Sequence, residues 1–180
     1  MAESEQLPVQ QAREGEPAAW NTLFRRYQLP LYVYVFELVH HEQTSLDIVQ
    51  ETFIAAARHI AGLHDNEKFA SWLFGIAHQK CLLGWRKKGG KEILLDEIPE
   101  APDESLEAPD DALIRSEQEA DFMNALDQLS LPHRSVLLLH YIEDFSLEEI
   151  ARVTAAQTGT VKSRLHYAKK SLRALLEARK

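Results

Sequence analysis

Apolar side chains recur every three or four residues along most of the chain, the spacing that puts them on one face of an α-helix. The pattern predicts helices at residues 8–39, 43–61, 68–88, 112–129 and 131–142, and two more within residues 146–176. Leu46 and Leu83 are expected on the inward faces of their helices, and Pro30 marks a kink or a boundary. No stretch alternates with the period of a strand, so we predict an all-α fold.

Residues 146–176 have the pattern of a helix, a short turn and a longer helix. Ser146 and Glu149 have the spacing of a capping box, which starts the first helix. Small residues from Thr154 to Gly159 break the pattern, and a second helix is predicted from Thr160. This arrangement is typical of a helix-turn-helix, whose second helix enters the major groove of DNA.

The second of these helices has a basic, polar face. Between Ile150 and Leu176 there are six Lys or Arg residues and no acid, which favours a polyanionic partner. We predict DNA contacts from Thr160, Lys162, Ser163, Arg164, His166, Tyr167, Lys169 and Lys170. The alternative is an ordinary helical hairpin with a basic surface.

The distribution of charge predicts two domains and a tether. The net charge is −8, but residues 92–114 alone carry nine acids and no base, so the flanking parts are close to neutral. Residues 92–111 also contain three prolines, as flexible linkers often do. We therefore predict one helical domain at 1–91, an acidic linker at 92–111 and a second helical domain at 112–180.

A second basic patch closes the first domain. Residues 80–91 contain five Lys or Arg residues and no acid, and Trp85 lies among them. Cations at the end of a helix also interact favourably with its dipole. Aromatic rings beside cations suit single-stranded nucleic acid, whose bases stack while its phosphates pair with the cations.

Motifs of catalysis, metal binding and export are not found in the sequence. The eight histidines form no HExxH motif, there is no GxSxG motif, and the single Cys81 is predicted to pack inside a helix. The acidic start, MAESEQ, has no apolar segment like that of a signal peptide. We expect a cytoplasmic protein that is not an enzyme, with no cofactor and no metal.

Three motifs, taken in order, resemble the extracytoplasmic function (ECF, group 4) sigma factors of bacterial RNA polymerase. Residues 47–53, DIVQETF, are similar to the family's D-L-V-Q-E-x-F segment, and residues 69–77, FASWLFGIA, to F-x-x-W-L-x-x-I-A. Leu131-Pro132 and residues 159–166, GTVKSRLH, are similar to its C-terminal domain. Ala155 stands where the family often has glycine.

The resemblance implies a protein that directs core RNA polymerase to promoters, in a stress or envelope response. Asp47, Gln50 and Glu51 would bind the β′ clamp helices of the polymerase, and an anti-sigma factor would hold the protein inactive. The helix from Thr160 would read the −35 element. Recognition and melting of the −10 element would involve His64, Asp65, Asn66, Lys68, Phe69, Trp72, His78, Gln79, Arg86, Lys87 and Lys88.

Two other functions compete with this interpretation. A stand-alone helix-turn-helix regulator would bind duplex DNA without polymerase. A metal-dependent enzyme would require stoichiometric metal, and His133 and His140, seven residues apart, are the pair to consider.

Overall fold

The computed structural model of the chain describes residues 7–87 and 119–178, and every regular element in these two ranges is helical. The chain divides into two compact units, within residues 1–88 and 89–180. The all-α prediction is therefore confirmed. The tether predicted at 92–111 lies outside the described residues, as does the start of the helix predicted at 112–129.

Within residues 7–87, the first unit contains four α-helices: α1 (Val9–Arg13), α2 (Pro17–Val39), α3 (Glu42–His59) and α4 (Phe69–Lys87). Helices α2, α3 and α4 pack against one another, and α1 packs against α2. Two 3₁₀ turns, Ile60–Gly62 and Asn66–Lys68, connect α3 to α4. The largest fully buried side chains of this core are Leu23, Leu31, Tyr34, Phe69, Leu73 and Phe74.

Local chemistry explains where these helices begin and end. Gly15, at φ +88°, separates α1 from α2, and Pro17 opens α2 at a position where its missing N–H costs nothing. Pro30 lies inside α2, which continues to Val39, so a boundary at Pro30 is wrong. The Nδ1 atom of His41 accepts a hydrogen bond from the Thr44 N–H at 3.1 Å and caps α3.

The second unit contains α5 (Glu119–Leu126), α6 (Leu131–Tyr141), α7 (Leu147–Thr154) and α8 (Thr158–Glu177). Helix α8 packs against the other three. The middle of α6 is buried on all sides, because four consecutive residues, Val136, Leu137, Leu138 and Leu139, are at most 1% exposed.

Arg134 connects the start of α6 to the end of α5. Its Nε donates to the carbonyl of Leu126 at 3.0 Å, and its Nη2 donates to those of Asp127 at 2.6 Å and Leu129 at 3.1 Å. Carbonyls at a helix C-terminus have no partner within the helix. One buried cation thus binds three carbonyls at and just beyond the end of α5 and links them to the start of α6.

Candidate functional site

Helices α7 and α8 form the helix-turn-helix predicted from residues 146–176. The capping box is confirmed: the Ser146 Oγ accepts from the Glu149 N–H at 3.2 Å, and the Glu149 carboxylate accepts from the Ser146 N–H at 2.8 Å. Helix α8 begins at Thr158, two residues before the predicted start. Ala155 ends α7 in the left-handed region, at φ +51°.

The turn between α7 and α8 is closed by backbone hydrogen bonds. The Ala156 N–H donates to the carbonyl of Ala151 at 3.0 Å, and the Ala155 N–H to that of Arg152 at 3.4 Å. Such a C-cap commonly has glycine at the left-handed position, because an L side chain there crowds the backbone. The backbone is therefore strained at Ala155, the position where the family often has glycine.

The exposed face of α8 is narrower than predicted. His166, Tyr167 and Lys170 are exposed, while Thr160 and Lys162 are half-buried. Lys169 is also half-buried, and its Nζ lies 5.6 Å from the centre of the Tyr141 ring in a cation–π contact. Arg173, one turn after Lys169, is exposed as well.

Two predicted DNA contacts of α8 are buried, and their assignment is corrected. Ser163 is 7% exposed and Arg164 is 4% exposed. Arg164 comes three residues after Val161 and four before Ala168, so it lies on the buried stripe of the helix. Burial lowers the pKa of Arg164. Burial also lowers the pKa of His133, and the positive charge of Arg164 lowers it further. Ser163 and Arg164 therefore do not belong to the exposed face of α8.

The loop before α4, Leu63–Lys68, presents polar side chains at the surface, and we call it the 63–68 loop. The Asp65 carboxylate accepts from the Glu67 N–H at 3.0 Å, which confirms that Asp65 caps the following turn. It also pairs with Lys68 at 3.0 Å. The side chains of His64, Asn66 and Lys68 are exposed.

Phe69 and His78, predicted contacts of α4, belong to the core, which corrects two further assignments. Phe69 is fully buried, with its ring 5.6 Å from that of Tyr27 and 5.9 Å from that of Trp72. His78 is 4% exposed, and its Nδ1 lies 2.8 Å from the Tyr34 hydroxyl. Trp72 is half-buried. Gln79, Arg86 and Lys87 remain at the surface, and Lys88 lies outside the described residues.

An apolar groove between α2 and α3 was not predicted from the sequence. It has a volume of about 810 Å³. Its lining consists of Phe24, Gln28, Leu29, Tyr32, Leu46, Val49, Gln50, Phe53 and Ile54. Leu29 is 66% exposed and Leu46 47%, so the inward position predicted for Leu46 is wrong. A signal for the groove was present in the sequence, because α2 and α3 have more apolar residues than one buried stripe on each helix requires.

Of the three polar residues predicted to bind the polymerase, one lines this groove. Gln50 is part of its lining, and Asp47 and Glu51 are exposed on the same helix. Glu51 accepts a hydrogen bond from the Lys80 ammonium of α4 at 3.0 Å. The Glu51 carboxylate is therefore directed toward α4 rather than into the groove.

Comparisons with known proteins agree on one family. Residues 23–90 match the Sigma-70 region 2 model, and residues 119–172 match the Sigma-70 region 4 model. The ECF RNA polymerase sigma factor SigL of Mycobacterium tuberculosis is 32% identical over 176 residues, which cover 94% of this chain and 95% of SigL. The chain belongs to the ECF sigma factors.

Other relatives extend over the same length of this sigma factor. The RNA polymerase sigma-H factor of Pseudomonas aeruginosa is 28% identical over 178 residues, covering 94% of this chain and 92% of its own. SigW of Bacillus subtilis is 27% identical over 173 residues, covering 92% of each chain. This sigma factor accordingly binds core RNA polymerase and directs it to promoter DNA.

Solved structures share the fold of this sigma factor. CnrH, solved in complex with the cytosolic domain of CnrY, superposes with a TM-score of 0.68 at 24% identity over 97% of both chains. RpoE of Bartonella quintana, solved with the anti-sigma factor NepR, gives 0.64 at 25% identity, covering 88% of this chain and 98% of RpoE. Of the helices described here, none combines the length and the apolar character needed to cross a bilayer.

Proposed function

We propose that this sigma factor divides promoter recognition and polymerase binding among three surfaces. The α2–α3 groove with Asp47, Gln50 and Glu51 binds the β′ clamp helices of core RNA polymerase. The 63–68 loop, with the exposed residues of α4, engages the melted −10 element. The exposed face of α8 reads the −35 element.

The observation that carries the polymerase assignment is the apolar groove. Phe24, Leu29, Leu46 and Ile54 are each more than 40% exposed, and all four line the same groove. Clustered exposure of large apolar side chains marks a protein–protein interface, since leaving them in water carries a free-energy cost. A pair of packed helices has the apolar ridge and polar flanks that fit such a groove.

The −35 assignment is supported by the charge of the exposed face of α8. Lys170 and Arg173 are exposed there, and the first turn of the helix contains no acid. The positive end of the helix dipole therefore adds to the basic side chains rather than being neutralised. His166 and Tyr167 lie about one turn before Lys170 and supply groups able to contact base edges.

The −10 assignment is supported by the combination of exposed polar and cationic groups before and along α4. His64, Asn66 and Lys68 are exposed in the 63–68 loop, and Gln79, Arg86 and Lys87 are exposed on α4. A base taken out of the stack needs hydrogen-bonding groups to receive it and cations for its phosphates. Trp72, half-buried beside the loop, supplies an aromatic surface.

An anti-sigma factor is proposed as the second partner of the same surfaces. The relative RpoE of Bartonella quintana was solved with the anti-sigma factor NepR. Residues that bind polymerase are the ones an inhibitor must cover, so the α2–α3 groove is where we place the competition. We further propose that the protein acts in the cytoplasm and performs no catalysis itself.

Exchange of exposed leucines for aspartate tests whether the α2–α3 groove binds core polymerase. Leu29→Asp or Leu46→Asp puts a charge on its apolar surface, and we expect affinity for core polymerase to fall by ten- to a hundredfold. Leu83→Asp is the matched control, because Leu83 is 53% exposed on α4 and does not line the groove. Equal affinities for all three variants would contradict the assignment.

A further inference from the structure

The short helix α1 reaches the 63–68 loop through one side chain. The Nη2 atom of Arg13, the last residue of α1, donates to the carbonyl of Leu63 and to the Oδ1 of Asn66, the latter at 2.8 Å. These acceptors follow Arg13 by 50 and 53 residues in the chain. Arg13 therefore joins two segments that are remote in sequence.

The other terminal nitrogen of Arg13 stays within its own helix. Its Nη1 donates to the Gln10 Oε1 at 2.6 Å. This bond uses Nη1 alone, whereas both bonds to the loop come from Nη2. Gln10 is exposed and contributes nothing to the loop directly, which makes it a useful control.

Helix α1 is held in place by contacts that do not involve the loop. Val9 and Ala12 are buried, at 0% and 2% exposed. The indole Nε1 of Trp20 donates to the carbonyl of Ala12 at 3.0 Å and ties α1 to α2. The guanidinium thus extends from a fixed support.

Hydrogen bonds inside the loop are short-range by comparison. The Asp65 carboxylate accepts from the Glu67 N–H and pairs with Lys68, three residues away. Such bonds shape a turn, and the buried side chain of Leu63 holds its first residue against the core. The bonds from Arg13 add two further points of attachment, at the Leu63 carbonyl and at the Asn66 side chain.

We propose that Arg13 is a positioning residue for −10 recognition. It holds the 63–68 loop so that the exposed side chains of His64 and Lys68 meet the unpaired base in one geometry. This inference rests on the proposed function of the loop. Discrimination between bases requires fixed donors and acceptors, whereas attraction of the phosphates does not. Loss of the Arg13 bonds should therefore reduce base preference more than overall binding.

A matched pair of substitutions separates the hydrogen bonds from the packing of the side chain. Arg13→Met keeps an unbranched apolar stem and removes every donor. Arg13→Lys keeps the stem and the charge and offers three donors on one ammonium. Gln10→Ala removes the partner of Nη1 and leaves the bonds to the loop.

The experiment uses the full chain assembled with bacterial core RNA polymerase. A duplex DNA library randomised across both promoter elements is transcribed, and sequencing of the transcribed templates gives the base preference at each position. For Arg13→Met we expect the preference at the −10 element to fall about tenfold, the scale of one charge-assisted hydrogen bond. Arg13→Lys should recover most of it, and Gln10→Ala should match the wild type.

Preference at the −35 element and affinity for core polymerase are the internal controls. Both should stay within about twofold of the wild type in all three variants, because Arg13 does not line the α2–α3 groove and α8 belongs to the other unit. Thermal unfolding of each variant identifies losses caused by a general fall in stability.

The outcomes distinguish failure of this inference from failure of the loop assignment. If His64→Ala and Lys68→Ala change the −10 preference while Arg13→Met does not, the positioning role is refuted and the loop assignment stands. If His64→Ala and Lys68→Ala leave the preference unaltered, the loop assignment itself is refuted. Equal losses for Arg13→Met and Arg13→Lys, with equal losses of stability, would show a structural role only.

Discussion

The hydroxyl of Tyr34 lies 2.8 Å from the Nδ1 of His78, and this buried pair joins α2 to α4. Tyr34 is 1% exposed and His78 4%. The sequence had suggested His78 as a contact of melted DNA, on a helix whose far end is basic. Its pairing with Tyr34 gives it a role in the core, with consequences that can be measured.

Removal of the Tyr34 hydroxyl should destabilise the first unit. In Tyr34→Phe the buried imidazole loses a hydrogen-bonding partner, which costs about 1–2 kcal/mol in the free energy of unfolding. Urea unfolding of the full chain measures the change. Tyr167→Phe, which alters an exposed tyrosine, should stay within about 0.5 kcal/mol of the wild type. A changed −10 preference in folded Tyr34→Phe would argue against a purely structural pair.

Glycine at position 155 should stabilise the second unit. Ala155 has φ +51°, a left-handed conformation that costs an L residue about 1–2 kcal/mol. The greater freedom of glycine in the unfolded chain offsets part of the gain, so Ala155→Gly should add about 0.5–1 kcal/mol. Thermal unfolding measures the shift. Ala174→Gly, at an exposed position inside α8, should instead destabilise by about 1 kcal/mol.

Substitutions on the exposed face of α8 should separate affinity from base preference. Lys170→Ala removes a cation and should weaken binding of holoenzyme to all −35 sequences, with the salt dependence of log K falling by about one. His166→Ala should alter which −35 sequence is preferred, because its side chain lies at the centre of the exposed face. Binding measured across a salt series distinguishes the two effects.

The control for the α8 prediction is an exposed cation elsewhere. Arg58 is exposed on α3, in the other unit. Arg58→Ala should leave the salt dependence of −35 binding unchanged. An unchanged salt dependence in Lys170→Ala would contradict the proposed orientation of α8 on DNA.

Cys81 should be unreactive in the folded protein. Burial raises the pKa of Cys81 to about 12, so the thiolate that attacks disulfide reagents is scarce at pH 8. We expect slow reaction with Ellman's reagent in buffer and one thiol per chain in urea. Rapid reaction in buffer would show that α4 opens readily.

The raised pKa of Cys81 also predicts that the free energy of unfolding falls at alkaline pH. The unfolded thiol ionises near its ordinary value of about 9, whereas the folded thiol stays protonated until about 12. Between these values the folded state binds the extra proton, so stability falls as pH rises, by up to about 1.4 kcal/mol per pH unit. The difference in unfolding free energy between the wild type and Cys81→Ala, followed from pH 8 to 10.5, isolates this contribution.

The sequence predicted the local features well because each depends on neighbours within one turn. The Ser146–Glu149 capping box, the cap from Asp65 and the opening of α6 at Leu131 are all confirmed. Such signals depend on backbone N–H groups that lack a partner at a helix start, wherever the helix lies in the fold.

Errors arose where residue type was given more weight than position on the helix. Arg164 was placed at the surface because it is polar, and His78 because the family resemblance implied a DNA contact, although both are buried. Leu46 and Leu83 were placed in the core because they are apolar, although both are about half exposed. Which side of a helix is covered depends on the helices packed against it, and spacing along one helix carries no record of them.

The sequence by itself determined the helical class, the helix-turn-helix and the family, since periodicity, capping and motif order are properties of short stretches. Only the tertiary structure decided which residues form surfaces. The α2–α3 groove forms because two helices pack together and leave apolar side chains exposed between them. The bonds from Arg13 to the 63–68 loop join residues 50 and 53 positions apart in the chain. Both depend on contacts between distant segments, whose free energy is gained only when the chain has folded.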